Sequence, residues 1–271
     1  MDIPRAVEIL GVRFHPLTRK EAADSVVRLA QSAQKSYVVK PYSEFMPPAH
    51  HNTRLREVLN SASLCLPDGA GILWAAHYLS LRGGRLRATL QLPLSLASLV
   101  ARPDVLRTPL PQAMHGVDFT WEMLEAIDRA ELSVYLLGGT VEESSGAAKC
   151  IAERLPGLRI AGARPGYFRK SEDAVAEINA AKPAVLLVAM GFPRQEKWIA
   201  ENLPQLNVKI AVAEGGSLTF LSGVVGRAPR WMSRSGLEWL YRLLRQPGRL
   251  RRQLALPVFV WLVFRERLRF S

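Results

Sequence analysis

The chain has 271 residues, 48% of them apolar, with 36 Lys and Arg against 24 Asp and Glu and a net charge of +12. That balance excludes a disordered polymer, a collagen-like repeat and a disulfide-stapled miniprotein, and it suits one large domain or two small ones with an ample core. The two cysteines, Cys65 and Cys150, lie in apolar or helical runs without zinc-ligand spacing, which points to a reducing compartment and no disulfide.

The start, MDIPRAVEIL, has no apolar signal region, so cytoplasmic residence is expected. Residues 7–14 read as a small hairpin broken at Gly11. Thr18 and Glu21 have the spacing of a capping box for a helix to about Ala33. Residues 37–40 and 64–66 are short strands, with a helix over 53–61 between them. A further helix over 70–81 follows the turn Pro67-Asp68-Gly69. The Arg- and Leu-rich segment 83–110, centred on 90–101, reads as an extra core-covering helix or as a membrane-touching element.

Beyond it, helices are expected near 119–130, 172–181 and 194–202. Residues 133–137 form a buried strand ending in Gly138-Gly139, and Thr140 with Glu143 caps a helix to about Leu155. Residues 158–161, 185–189 and 209–213 complete the strands. Strands alternating with helices mean an α/β fold: a Rossmann-like parallel sheet with helices on both faces. No internal repeat occurs, and no G-x-G-x-x-G fingerprint follows a strand, which argues against a dinucleotide oxidoreductase.

Charge divides the chain. Residues 227–271 hold 11 Arg, no Lys and 2 Glu, so +9 lies there (11 − 2), and the preceding 226 residues carry +3. The expected organisation is therefore a core over 1–226 and a basic helical C-terminal appendage over 227–271. A concentrated basic end calls for a polyanionic partner. Its apolar run, 254–264, is too short to span a bilayer but fits an interfacial element, with Phe259, Trp261 and Phe264 inserting. Nucleic acid is not expected, because no recognition motif appears and the apolar run would have no role there.

The candidate site lies where strands end and helices begin, since ligands of open parallel sheets sit at the carboxyl ends of the strands. Gly191-Phe192-Pro193-Arg194-Gln195-Glu196-Lys197-Trp198-Ile199 follows an apolar strand and opens a helix, with Pro193 placed just inside it. That places Gln195 and Glu196 near a ligand, though Glu196 is equally a carboxylate favoured by the helix dipole. Asp68 sits in a turn that also suits a helix cap, and Asp118 has the position of an N-cap. Gly138 and Gly139 allow close backbone approach to a ligand, or simply a turn.

The wording of the run resembles the G-x-P-x-Q-E-x-W signature of the WecG/TagA/CpsF glycosyltransferase family. Three more pieces agree in order: Leu66-Pro67-Asp68-Gly69-Ala70-Gly71, Gly166-Tyr167-Phe168, and Arg227-Ala228-Pro229 followed by Gly236-Leu237-Glu238-Trp239-Leu240-Tyr241-Arg242-Leu243. The resemblance covers nearly the whole chain, with residues 83–110 standing as an insertion relative to the family. It implies an inverting, metal-independent enzyme with no cofactor. Such an enzyme moves a sugar from a UDP-sugar to a polyprenyl-diphosphate-linked saccharide, for surface or exopolysaccharide assembly. It would lie peripherally on the inner face of the cell membrane, against anionic lipid. The alternative is a catalytically impaired relative that binds nucleotide-sugar or lipid without transfer.

Inverting transfer needs a base for the attacking hydroxyl and positive charge or donors for the departing UDP. The resemblance makes Asp68 the base and Gln195 a partner of sugar hydroxyls or phosphate. It also implies that Arg242, Arg249 and Arg252 of the appendage complete the active site, with Arg227 nearby. Tyr167 is placed to stack near uracil or to stand as a surface aromatic. Gly69, Gly191 and Asp118 complete the binding candidates. No D-x-D pair occurs to hold a metal-bridged diphosphate. The chain departs from the family at Lys40 (usually Thr), at Tyr42 or Ser43 (Asn), at Ala113 (Arg) and at Thr219 (Asp). Lys40 and Tyr42 then face the donor sugar and leave its identity open.

Overall fold

The computed structural model describes residues 5–224 and 254–269. A two-stranded antiparallel hairpin opens the chain, β1 (Val7–Ile9) and β2 (Val12–Phe14), turning at Gly11 with φ of +80°. The main sheet holds β3 (Ser36–Val39), β4 (Leu64–Cys65), β5 (Val134–Gly138), β6 (Ile160–Arg164), β7 (Val185–Ala189) and β8 (Ile210–Ala213). It is parallel throughout, in the order β4-β3-β8-β7-β5-β6. The α/β expectation therefore holds.

Alternation of side chains sorts the sheet residues into two cores. Val38, Leu136, Leu187 and Val212 face one layer, made by α1 (Arg19–Gln31), α6 (Gly116–Arg129), α7 (Val141–Arg154) and α10 (Ser217–Leu221). Val39, Leu137, Val188 and Ala213 face the other, which includes α3 (Thr53–Asn60), α4 (Ala70–Ser80), α8 (Ser171–Ala181) and α9 (Arg194–Asn202). A short α2 (Met46–His51) precedes α3. Both capping boxes are present: Thr18 accepts from the Glu21 N–H and Thr140 from the Glu143 N–H, with each glutamate reaching back.

Three expectations need correction. Asp118 is not an N-cap, because α6 begins two residues earlier at Gly116 and leaves Asp118 exposed in the first turn. Strand β6 lies at 160–164, where 158–161 was expected; as an edge strand of half-buried residues it carries a weak apolar signal. Pro193 sits at the N-cap of α9, one residue before the first helical position.

The segment 83–110 forms a long helix, α5 (Arg85–Ala101), with Pro93 inside it. The end of the chain forms α11 (Ala255–Arg269), which packs on α2, α4 and α5. Phe259, expected to enter a bilayer, is instead in the protein core, edge-on to Trp74 with ring centres 6.1 Å apart. A fixed partner within the fold removes its apolar surface from water as well as lipid would. Among the described residues no helix is long and apolar enough to cross a membrane.

Candidate active site at the carboxyl edge of the sheet

The loops after β3, β4, β7 and β8 meet at one end of the sheet. The loop carrying Asp68 is held at three backbone points. The Leu66 N–H donates to the Val39 carbonyl at 2.9 Å, the Asp68 N–H to the Pro41 carbonyl at 3.2 Å, and the Met114 N–H to the Pro67 carbonyl at 2.7 Å. Asp68 is half-buried, and the N-cap residue of α4 is Gly69, with φ of +84°, one position after Asp68. The start of α4 also lies hard against the turn after β3, since a Cβ on Gly71 would fall 2.1 Å from Ser43 Oγ.

The residues just after β3 and β8 build a buried polar group. Lys40 Nζ lies 2.7 Å from Glu214 Oε1, and both side chains are enclosed. The other carboxylate oxygen accepts from the Thr120 hydroxyl at 2.6 Å, and Thr120 Oγ1 lies 3.2 Å from Ser217 Oγ. The Lys40 ammonium also sits 5.2 Å from the centre of the Phe119 ring. A buried charge is tolerable only with such pairing. Lys40 was expected to face the donor sugar; its ammonium is instead engaged by Glu214 within the protein. Glu214 and Thr120 were not singled out from sequence. Their only signal was a carboxylate just after a buried strand, in Ala213-Glu214-Gly215-Gly216.

The signature run after β7 is a clamp. The Gln195 Oε1 accepts from the Gly191 N–H at 3.1 Å and from the Gly215 N–H at 3.0 Å, tying the loops after β7 and β8 together. Its amide nitrogen donates to Glu196 Oε1 at 2.8 Å. Gln195 is 3% exposed, so the amide expected to meet sugar hydroxyls is committed to the protein. The glycines it holds have φ of +78° (Gly191) and +61° (Gly215), and a Cβ at either would meet nothing within 4 Å among the described residues. Their conformation, not crowding, requires glycine there. Glu196 is also buried, its Oε2 has no hydrogen-bond partner among the described residues, and burial pushes its pKa up to about 7.

Two sequence motifs meet further along the edge. Arg194 donates to the Gly166 carbonyl at 2.7 Å, and its guanidinium lies 6.0 Å from the Tyr167 ring centre and 5.4 Å from that of Phe168. Trp198 donates to Ser171 Oγ at 2.6 Å and meets Phe168 edge-on. Tyr167 itself is exposed. Gly138 and Gly139 approach protein: a Cβ on Gly138 would lie 2.2 Å from the Ala189 carbonyl oxygen, and one on Gly139 would meet Glu143 at 2.7 Å. The Tyr42 ring lies tilted against Phe45, centres 3.9 Å apart, and Phe45 stacks on Phe192 at 3.5 Å, which links the loops after β3 and β7. Arg227, Arg242, Arg249 and Arg252 lie outside the described residues. Among the described residues no three His, Cys, Asp or Glu side chains are grouped to share a metal ion.

A parallel sheet whose strand-end loops carry a half-buried carboxylate beside glycine turns has its ligand crevice at this carboxyl edge. The sequence matches the model of the glycosyl transferase WecG/TagA/CpsF family over residues 7–104 and 87–271, and the chain belongs to that family. It is a glycosyltransferase. It is 29% identical over 231 residues to an N-acetylglucosaminyldiphosphoundecaprenol N-acetyl-beta-D-mannosaminyltransferase of Bacillus spizizenii, covering 85% of this chain and 79% of that protein. Proteins of the same description from Bacillus subtilis (30% identity, 78% of this chain and 72% of that one) and Staphylococcus aureus (27%, 94% and 91%) are also similar.

Proposed function

We propose that this protein transfers a sugar, with inversion and without a metal, from a UDP-sugar to a saccharide carried on polyprenyl diphosphate. N-acetylglucosaminyl-diphosphoundecaprenol is the acceptor that the relatives' description supports. The observation that carries the reading is Asp68. It is a half-buried carboxylate at the sheet's carboxyl edge, in a loop fixed by the backbone of Pro41 and Met114. It takes the proton from the acceptor hydroxyl as that oxygen bonds to the anomeric carbon. The bond from this carbon to the diphosphate then breaks, and UDP leaves with the electron pair.

The glycine turns at Gly69 and Gly191 bring backbone close to the donor, and Asp118 stands exposed beside the same edge. Gln195 acts by holding the two loops, and Lys40 acts through Glu214. Arg227, Arg242, Arg249 and Arg252 of the basic appendage neutralise the leaving diphosphate in place of a cation. The enzyme works on the cytoplasmic face of the membrane, held peripherally through that appendage and its arginines. A panel of UDP-sugars, read by UDP release with a short polyprenyl-diphosphate sugar as acceptor and excess EDTA present, tests the whole reading. Release with at least one donor is expected. Acceptor-independent hydrolysis alone, or strict dependence on magnesium, would overturn it.

A further inference from the structure

Helix α5 is apolar on the side that faces water. Its inner side is anchored, with the Trp74 indole donating to Ser95 Oγ at 3.0 Å and the Tyr78 hydroxyl to the Ala88 carbonyl at 2.8 Å. Those bonds fix the helix's rotation and turn Leu86, Leu90, Pro93, Leu94, Ala97 and Val100 outward. The exposures are 76% for Leu86, 61% for Leu90, 70% for Leu94 and 88% for Val100. Scattered exposed leucines need no explanation, but a continuous stripe with no polar residue on its crest does.

Charge at the two ends of the helix identifies what covers it. Arg82, Arg85 and Arg87 stand exposed at its start and Arg102 and Arg107 just beyond its end, against one carboxylate, Asp104. A second copy meeting this face symmetrically would bring like charges together. An anionic lipid surface complements them, with leucines entering between headgroups and arginines at the phosphate level. Helix α11 packs on α5 and carries its own exposed apolar residues, Leu256, Val258 and the interfacial residue Trp261.

We propose that the outer face of α5 is a lipid-docking surface, acting beside α11 to seat the enzyme on anionic membrane. This deepens the membrane-surface reading of the appendage and rests on it. Full-length protein is tested by co-sedimentation with phosphatidylglycerol–phosphatidylcholine vesicles and with pure phosphatidylcholine vesicles. The variants are Leu86→Gln/Leu90→Gln/Leu94→Gln, which touches only exposed side chains, and separately Trp261→Gln. The leucine variant is expected to partition at least about tenfold less onto the anionic vesicles. It should keep the wild-type helical spectrum, solution mass and transfer to a soluble acceptor. If wild-type protein ignores anionic vesicles, the membrane reading and this proposal fall together. If wild type binds and the leucine variant binds equally well while Trp261→Gln does not, the appendage alone is the anchor and this proposal is wrong. A wild-type dimer that the leucine variant converts to monomer would assign the face to a second copy instead.

Discussion

The two halves of the sheet's carboxyl edge are built in opposite ways. On the β4-β3-β8 side, charged and polar side chains are buried and interlocked: Lys40, Glu214 and Thr120 in one group, Gln195 and Glu196 in the next. On the β5-β6 side the interior is closed by glycines packed tightly on neighbouring backbone and side chains, and the polar groups Arg194 and Tyr167 stand at the surface. A buried polar lattice positions a site at a cost in desolvation, whereas glycine packing closes a wall. On the proposed reading, the chemistry beside Asp68 lies on the lattice side and the β5-β6 side holds the edge of the donor.

The strongest way to break this comparison is to remove one charge from the lattice. Lys40→Met leaves the Glu214 carboxylate enclosed without its cation and should destabilise the fold by about 3–5 kcal/mol in urea unfolding. A loss under about 1 kcal/mol would mean that water reaches Glu214 and that the lattice is not closed.

Glu196 offers the next largest effect, and it depends on pH. Its pKa is raised by burial to about 7 from 4.5. Between those values the folded protein holds a proton that the unfolded chain has released, so stability falls as pH rises through the window and levels above it. The span corresponds to about 3 kcal/mol, each pH unit being worth roughly 1.4 kcal/mol. Glu196→Gln should remove that component, so the difference in unfolding free energy between wild type and variant should change by this order between pH 5 and pH 8. A constant difference would place the carboxylate in contact with water.

Asp68→Asn then separates chemistry from architecture on the same side. Its turnover should drop at least about a hundredfold, with UDP binding and thermal stability close to wild type. Near-normal turnover would remove Asp68 from the mechanism and move the site elsewhere along the edge.

Much of this frame was legible in the residues. Strands β5, β7 and β8 are short apolar runs buried on both faces, and Thr18–Glu21 and Thr140–Glu143 announce two helix starts. The motifs at Pro67-Asp68-Gly69 and Gly191–Ile199 locate the edge itself. What pattern could not supply was pairing across distance. Lys40 and Glu214 are 174 residues apart, and nothing local to either declares a partner. Gln195 reads as a ligand contact until its amide is seen between the Gly191 and Gly215 N–H groups. Phe259 reads as a membrane residue for the same reason, since its run is apolar and only the fold shows Trp74 beside it.

Tyr167 provides the smallest effect and the sharpest test of the β5-β6 side. Its ring is exposed, with the Arg194 guanidinium 6.0 Å away, and that guanidinium is itself tied to the Gly166 carbonyl. Because little of the ring is buried, Tyr167→Ala should change stability by no more than about 0.5 kcal/mol. An aromatic ring stacked on a base contributes roughly 1–3 kcal/mol, and an exposed one belongs at the low end. The Michaelis constant for the UDP-sugar should therefore rise about fivefold with turnover unchanged, the pattern of an interaction made equally in ground and transition states. An Arg194→Ala variant should show a similar rise, because the loop that presents the ring loses its bond to α9. If neither variant shifts the constant, the donor does not reach this half of the edge, and its whole binding site lies on the β4-β3-β8 side.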